Sequence, residues 1–224
     1  MSNIISVLGQ KGGVGKSTLA RVLAREFTMN EWDVLLADMN IEQATCLTWN
    51  QRRKKNEIEP QLVVEAFSVL PQAQKRLSSF DLTIFDGKPA ASIETRDIAK
   101  ISDLVLIPTK TGLDDLTPQL GLALELVDDP KANIDPNRIA FVLSRVSTDS
   151  AATRAREYLS KARYPFTIID GYIQEKQSYE NALNFGMTLT ETDYDQLNER
   201  MNMVVQSIFN KFQQILSELT SKAV

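Results

Sequence analysis

The string Gly9-Gln10-Lys11-Gly12-Gly13-Val14-Gly15-Lys16-Ser17-Thr18 gathers the residue types that hold phosphate. Closely spaced glycines let a loop curl until successive backbone N–H groups face one anion. A helix start behind the loop adds unpaired N–H groups and the positive end of its dipole. In that setting Lys16 reaches β- and γ-phosphates and the Ser17 hydroxyl ligates Mg²⁺. The flanks supply the setting: Asn3-Ile4-Ile5-Ser6-Val7-Leu8 reads as a buried strand, and Leu19, Val22, Leu23 and Phe27 follow at helical spacing. A glycine-rich turn between strand and helix also occurs as plain packing. Gly-Lys-Ser in register after a strand favours the phosphate site.

The elements that must position this loop are legible as further apolar runs. Val34–Asp38, Asp81–Asp86, Asp103–Pro108 and Arg138–Leu143 read as strands, with a weaker one at Phe166–Ile169. Continuous apolar runs, as opposed to alternating ones, mean strands covered on both faces, as in a parallel sheet. Helical stretches lie between them, notably Leu116–Leu126 and Ala151–Ala162. The expected fold is α/β, a mostly parallel sheet with helices on both faces, in a single domain over residues 1–224. In such sheets ligands bind at the carboxyl ends of the strands, where Gly9–Thr18, Asp38 and Asp86 would converge.

Composition narrows the chemistry. The chain has 224 residues, enough for a sizeable core, with 43% hydrophobic and 24% charged residues and a net charge of −4. The single cysteine, Cys46, excludes a disulfide framework and argues against an iron–sulfur cluster held by one chain. With no histidine, imidazole general-base chemistry and the usual zinc sites are out. There is no signal peptide, no membrane-spanning apolar stretch and no lipidation signature, so the expected location is the cytoplasm.

The run Lys11-Gly12-Gly13-Val14-Gly15-Lys16-Ser17-Thr18 is a deviant Walker A loop, with a second lysine ahead of the usual one, and here the chain resembles the ParA/MinD family of ATPases. The resemblance implies a P-loop NTPase-type fold, ATP and Mg²⁺ as cofactors, and ATP hydrolysis. It places Gly12 to Thr18 around the phosphates, Ser17 and Asp86 at Mg²⁺, and Ser144-Arg145 near the base, where relatives commonly carry asparagine. It also implies that Lys11 reaches across a homodimer to the phosphates of the partner's nucleotide, so that ATP binding assembles the dimer and hydrolysis releases it. Gln10-Lys11 and the stretch Ile173–Ala182 followed by Gly186 are closest to short plasmid-type ParA proteins. Asp38 to Trp49 is similar both to those proteins and to ATPases of conjugation systems.

One departure bears on mechanism. Relatives end the second strand in Asp-x-Asp, and the second aspartate positions the attacking water; here the residues are Asp38-Met39-Asn40. Asparagine keeps the size and one acceptor oxygen but loses the charge. The readings left open are a slow natural enzyme awaiting a partner, a substitute in Glu42 or Gln43, an alteration that traps the ATP state, and an ordinary loop residue. After Asp86, Gly87-Lys88-Pro89 reads as a switch-like loop.

The resemblance further implies non-specific DNA binding by the ATP dimer, nucleoid association and a ParB-like or cargo adaptor that stimulates hydrolysis. A DNA surface must be local in so acidic a chain. The candidates are Arg154, Arg156, Lys161 and Arg163, or Arg52-Arg53-Lys54-Lys55. Thr192–Lys222 reads as an amphipathic helix with Leu197, Met201, Val204, Val205, Ile208, Phe212, Ile215, Leu216 and Leu219 on one face. Its polar face has few lysines, so packing against protein is expected and a membrane partner is not. The functional expectation is a ParA-type partition switch with hydrolysis slowed by Asn40. The alternatives are a weakly catalytic ATP-binding scaffold of a conjugation or cargo complex and a MinD-like positioning ATPase.

Overall fold

The computed structural model describes residues 2–222. Strand β1 (Asn3–Gly9) runs into the glycine loop and α1 (Lys16–Met29) leaves it. The chain continues through β2 (Val34–Asp38), α2 (Thr45–Lys55), β3 (Val63–Ala66), α3 (Leu70–Gln74), β4 (Leu82–Pro89) and α4 (Ile93–Ile101). Then come β5 (Leu104–Thr109), α5 (Leu113–Asp128), β6 (Ile139–Leu143), α6 (Asp149–Ser160), β7 (Thr167–Ile168), α7 (Gln177–Phe185) and α8 (Asp195–Lys222). The seven strands form one sheet in the order β3-β2-β4-β1-β5-β6-β7, with every neighbouring pair parallel.

The apolar runs are continuous because the sheet is covered twice. Leu36, Ile84, Leu104 and Leu106 pack with α1 and α8 on one face. Their chain neighbours Leu35, Phe85, Val105 and Ile107 pack with α4, α5 and α6 on the other. The last helix buries Met201, Val204, Ile208, Phe212 and Ile215, and the Phe212 ring meets Phe27 edge-on at 5.9 Å. This apolar face therefore belongs to the core. Among the described residues no helix is long and apolar enough to cross a membrane.

Two features differ from the sequence reading. The edge strand β3 was not expected, because its four residues alternate between exposed Val63 and buried Val64 without an apolar run. Strand β4 does not stop at Asp86; it continues through Gly87-Lys88-Pro89, where a loop was expected. The register carries on from Val7↔Asp86 to Gly9↔Pro89 across an irregularity. Gly87 permits the close approach, since a Cβ there would lie 2.6 Å from the Leu8 side chain.

Candidate nucleotide site

Strand β1 lies between β4 and β5, so crossovers depart to both sides of it and leave a crevice above its carboxyl end. The glycine loop fills the floor of that crevice. Gly13 and Gly15 take left-handed backbone conformations, with φ of 71° and 95°, that L side chains rarely adopt. Gly15 is the residue that opens α1, and the loop turns there to aim the helix start into the crevice. The resulting cavity, about 260 Å³, is lined by Gly12, Gly13, Gly15, Lys16, Ser17 and Thr18 from the loop side. Asp38, Asn40, Gln43, Thr45, Asp86, Gly87 and Pro89 line it from the strand ends, with Arg21 and Arg145 at its margins. Val14 is buried beneath the loop.

Lys16 is only 7% exposed, and its ammonium donates to the Lys11 carbonyl at 2.8 Å. Burial lowers its pKa, with the Asp86 carboxylate pulling the other way. A buried ammonium held by one carbonyl is poised for a stronger anionic acceptor. Lys11 sits differently: it does not line the cavity, its side chain is 42% exposed, and its ammonium lies 3.7 Å from Asp115 on α5.

Asp86 reaches the same cavity from β4. Burial pushes its carboxyl up to about 6, the nearby Asp38 adds to the effect, and Ser17, Cys46 and Arg21 partly counter it. The Cys46 thiol donates to Oδ2 at 3.1 Å, whereas Oδ1 is buried with no hydrogen-bond partner. An orphaned carboxylate oxygen beside a serine hydroxyl at a phosphate loop fits a hard divalent cation, which takes oxygen ligands. Ser17 and Asp86 would hold such a cation. Asp38 would stand behind it, because both its oxygens are occupied: Oδ1 accepts from Asn40 N–H at 3.0 Å and Oδ2 from Cys46 N–H at 2.8 Å.

Those two bonds shape the β2–α2 loop that carries Asn40. The Asn40 side chain donates to Gln43 Oε1 at 3.0 Å, and both residues line the cavity. Glu42 is exposed and does not line it, so of the two substitutes considered for Asn40 the structure brings Gln43 to the site.

Across residues 5–189 the sequence matches the CobQ/CobB/MinD/ParA nucleotide-binding domain. The chain belongs to that family. Similar solved structures include an aspartate-to-alanine variant of Cyanothece McdA in complex with ATP, at 18% identity and TM-score 0.67, covering 92% of this chain and 96% of that one. A putative plasmid partition protein from Borrelia burgdorferi B31 bound to AMPPNP matches at 16% identity and TM-score 0.67, covering 94% of this chain and 100% of that one. MinD from Pyrococcus horikoshii complexed with Mg-ADP matches at 14% identity and TM-score 0.66, covering 93% of this chain and 96% of that one. No curated protein sequence matches. This is the ParA/MinD-type nucleotide-binding ATPase fold, as the loop motif led one to expect.

Several residues of this ParA/MinD-type domain hold positions that the sequence did not reveal. Ser144, expected near the base, donates its hydroxyl to the Val14 carbonyl and so braces the loop from behind. Arg145 flanks a second hollow lined by Thr18, Ile173, Gln174, Tyr179 and Leu183, with its guanidinium 3.9 Å from Glu175 and Glu180. Arg21, not singled out beforehand, is buried at the cavity margin, donates to the Thr45 carbonyl at 2.7 Å and lies over the Trp49 ring. Its signal was a cation set among the apolar residues of α1. Lys88 is tied to Glu94 at 3.0 Å and to the Ser68 carbonyl, and it does not line the cavity.

The two basic groups fare unequally. Arg154 and Lys161 are exposed on or beside α6, while Arg156 donates to the carbonyls of Ile169 and Gly171, and Arg163 pairs with Asp128. The Arg52–Lys55 run is not one patch. Arg53 is fully buried, pairs with Glu191 at 2.8 Å and donates to the carbonyls of Glu59, Pro60 and Gly186. A helix turns about 100° per residue, which sends consecutive cations to different faces.

Proposed function

We propose that this chain is an ATP-dependent dimerising switch of the ParA type that partitions plasmid or other cargo through nucleotide-dependent, non-specific DNA binding. The observation that carries the reading is the contrast between its two lysines. Lys16 is buried inside the cavity of its own chain, whereas Lys11, on the same loop, lies outside that cavity and half exposed. A cation so placed is available to a nucleotide held by a second copy.

In this reading the loop amides and Lys16 bind the β- and γ-phosphates, and Ser17 and Asp86 hold Mg²⁺, which neutralises phosphate charge when bound. Lys11 completes the charge balance in trans. Asn40, supported by Gln43, orients the water that attacks the γ-phosphorus while the bond to the ADP oxygen breaks. Its neutral amide does this less well than a carboxylate, and hydrolysis is slow. Ser144, Arg145 and the adjoining hollow take the base side. Arg154 and Lys161, with Arg163 exposed but paired with Asp128 and Arg156 engaged by backbone carbonyls, form a weak cationic surface in each protomer that the dimer doubles, giving salt-dependent, sequence-blind contacts to DNA on the nucleoid. A ParB-like or cargo adaptor would stimulate turnover.

Light scattering with and without ATP–Mg²⁺, with released phosphate followed in the same samples, tests this. A monomer that becomes a persistent dimer with little phosphate release supports the switch. A chain that stays monomeric overturns it. A second reading, an ATP-binding scaffold of a conjugation or cargo complex, is favoured by the Asn40–Gln43 amide pair, which leaves no carboxylate on the water side outside Asp38. Turnover stimulated by DNA plus partner would argue for the switch over the scaffold.

A further inference from the structure

Lys11 is held within its own chain at three points. Its ammonium faces Asp115 at 3.7 Å. Its carbonyl accepts from the Lys16 ammonium at 2.8 Å. The residue before it is clamped by Gln119, a fully buried amide on α5 that accepts from Gln10 N–H at 2.9 Å and donates to the Pro108 carbonyl at 2.8 Å. The fit is close, since a Cβ on Gly9 would lie 2.5 Å from the Gln119 amide nitrogen. Helix α5 therefore grips the arm of the loop through one buried and one part-exposed side chain, on successive turns of the same face.

From this we infer that Asp115 and Gln119 are positioning residues for Lys11, a latch that holds the lysine in cis until nucleotide arrives. The inference rests on the dimerising-switch reading above. The coupling follows from the acceptors. When phosphate enters the cavity it competes for the Lys16 ammonium, because a charged oxygen is a stronger acceptor than a carbonyl. The Lys11 carbonyl then loses its partner and the arm keeps only its α5 contacts. Gln119 is buried and fully satisfied, so it stays in place and acts as the pivot. The Asp115 pair is part-exposed and long, at 3.7 Å, and weak enough to be exchanged for the partner's phosphates. Asp115 thus sets how readily Lys11 transfers, and acts against assembly in the unoccupied chain.

The test is Asp115→Asn, which keeps the shape and the helix start but removes the charge, measured beside Asp115→Glu and in a cycle with Lys11→Ala. Two pairs are given up per dimer, so the ATP–Mg²⁺ dimer of Asp115→Asn is expected to be roughly fivefold tighter (about 1 kcal/mol for the two) by analytical ultracentrifugation. The gain should shrink in high salt. Binding of a fluorescent ATP analogue to the monomer should not change, Asp115→Glu should resemble the wild type, and Asp115→Asn should not restore a dimer to Lys11→Ala. A fold made merely looser would not give that pattern. If the wild type dimerises and Asp115→Asn leaves the dimer unchanged or weakens it, the latch is overturned and the switch stands. If the wild type fails to dimerise with ATP–Mg²⁺, both fall.

Discussion

The two walls of the nucleotide cavity are built in different ways. On the phosphate wall, Lys16, Ser17 and Asp86 stand on α1 and β4, whose backbones are fixed by helix bonds and by pairing within the sheet. On the water wall, Asn40, Gln43 and Thr45 stand on the β2–α2 connection, which Asp38 holds through two backbone N–H groups and Arg21 through one carbonyl. The first wall is a product of the architecture. The second is set by a few side chains, among them Asn40, where the resemblance to the ParA/MinD family implies an aspartate. In the proposed switch binding and turnover are therefore separable: the phosphate wall would govern how tightly ATP is held, and the water wall how fast it is spent.

The largest effect should come from the phosphate wall. Lys16→Gln removes the buried cation that the proposed reading gives to two phosphates, a loss of about 3 kcal/mol, and should weaken ATP binding about a hundredfold by titration calorimetry. On the water wall, Asn40→Asp should leave ATP affinity within a few-fold. It should raise the rate of phosphate release about tenfold or more, the difference between a neutral and a charged acceptor. A larger change in affinity than in rate would erase the distinction between the walls.

The Asp86 carboxyl gives a subtler contrast. Burial raises it to about 6, above its unfolded value, so the fold bears the cost of a buried carboxylate above pH 6 and is relieved as pH falls through 6. Without nucleotide or divalent cation, this group should add about 1 kcal/mol of stability between pH 7 and pH 5, a slope absent from Asp86→Asn in urea melts at the two pH values. The smallest effect is expected for Gln43→Ala. Losing an exposed hydrogen bond to Asn40 should slow basal hydrolysis only about twofold. A fall of tenfold or more would instead make Gln43 the group that orients the water.

How much of this was legible in the sequence depends on distance along the chain. Gly9 to Thr18 is contiguous, and each residue does its work within one turn of its neighbours. The strands announced themselves as apolar runs because both faces are covered, and β3 did not because it is short and half-exposed. Asp86 was found as the last residue of a run, although its strand continues, since Gly87 and Lys88 do not look like core. The contacts that tune the loop were hidden for a different reason. Gln119 meets Gln10 across 109 positions, and a glutamine among the buried leucines of α5 carries no label saying which backbone it serves. Cys46 beneath Asp86, Arg21 beside Thr45 and Arg53 against Glu191 share that character. In each case the side chain's role is fixed by a partner that only the fold brings near. The basic run at 52–55 illustrates the opposite error, in which adjacency in sequence suggested a shared surface that helical geometry divides.

In the proposed switch Lys11 serves the partner's nucleotide and Lys16 its own. Mixing two defective chains, Lys11→Ala and Lys16→Gln, tests it most directly. A heterodimer of the two contains one site with both lysines if Lys11 acts in trans, and none if it acts in cis. The account predicts that each variant alone neither dimerises with ATP–Mg²⁺ nor releases phosphate above background. Their mixture should form heterodimers, seen by energy transfer between labelled chains, and retain about one ATP per pair. A mixture as inert as its components, alongside a wild type that dimerises, would contradict it.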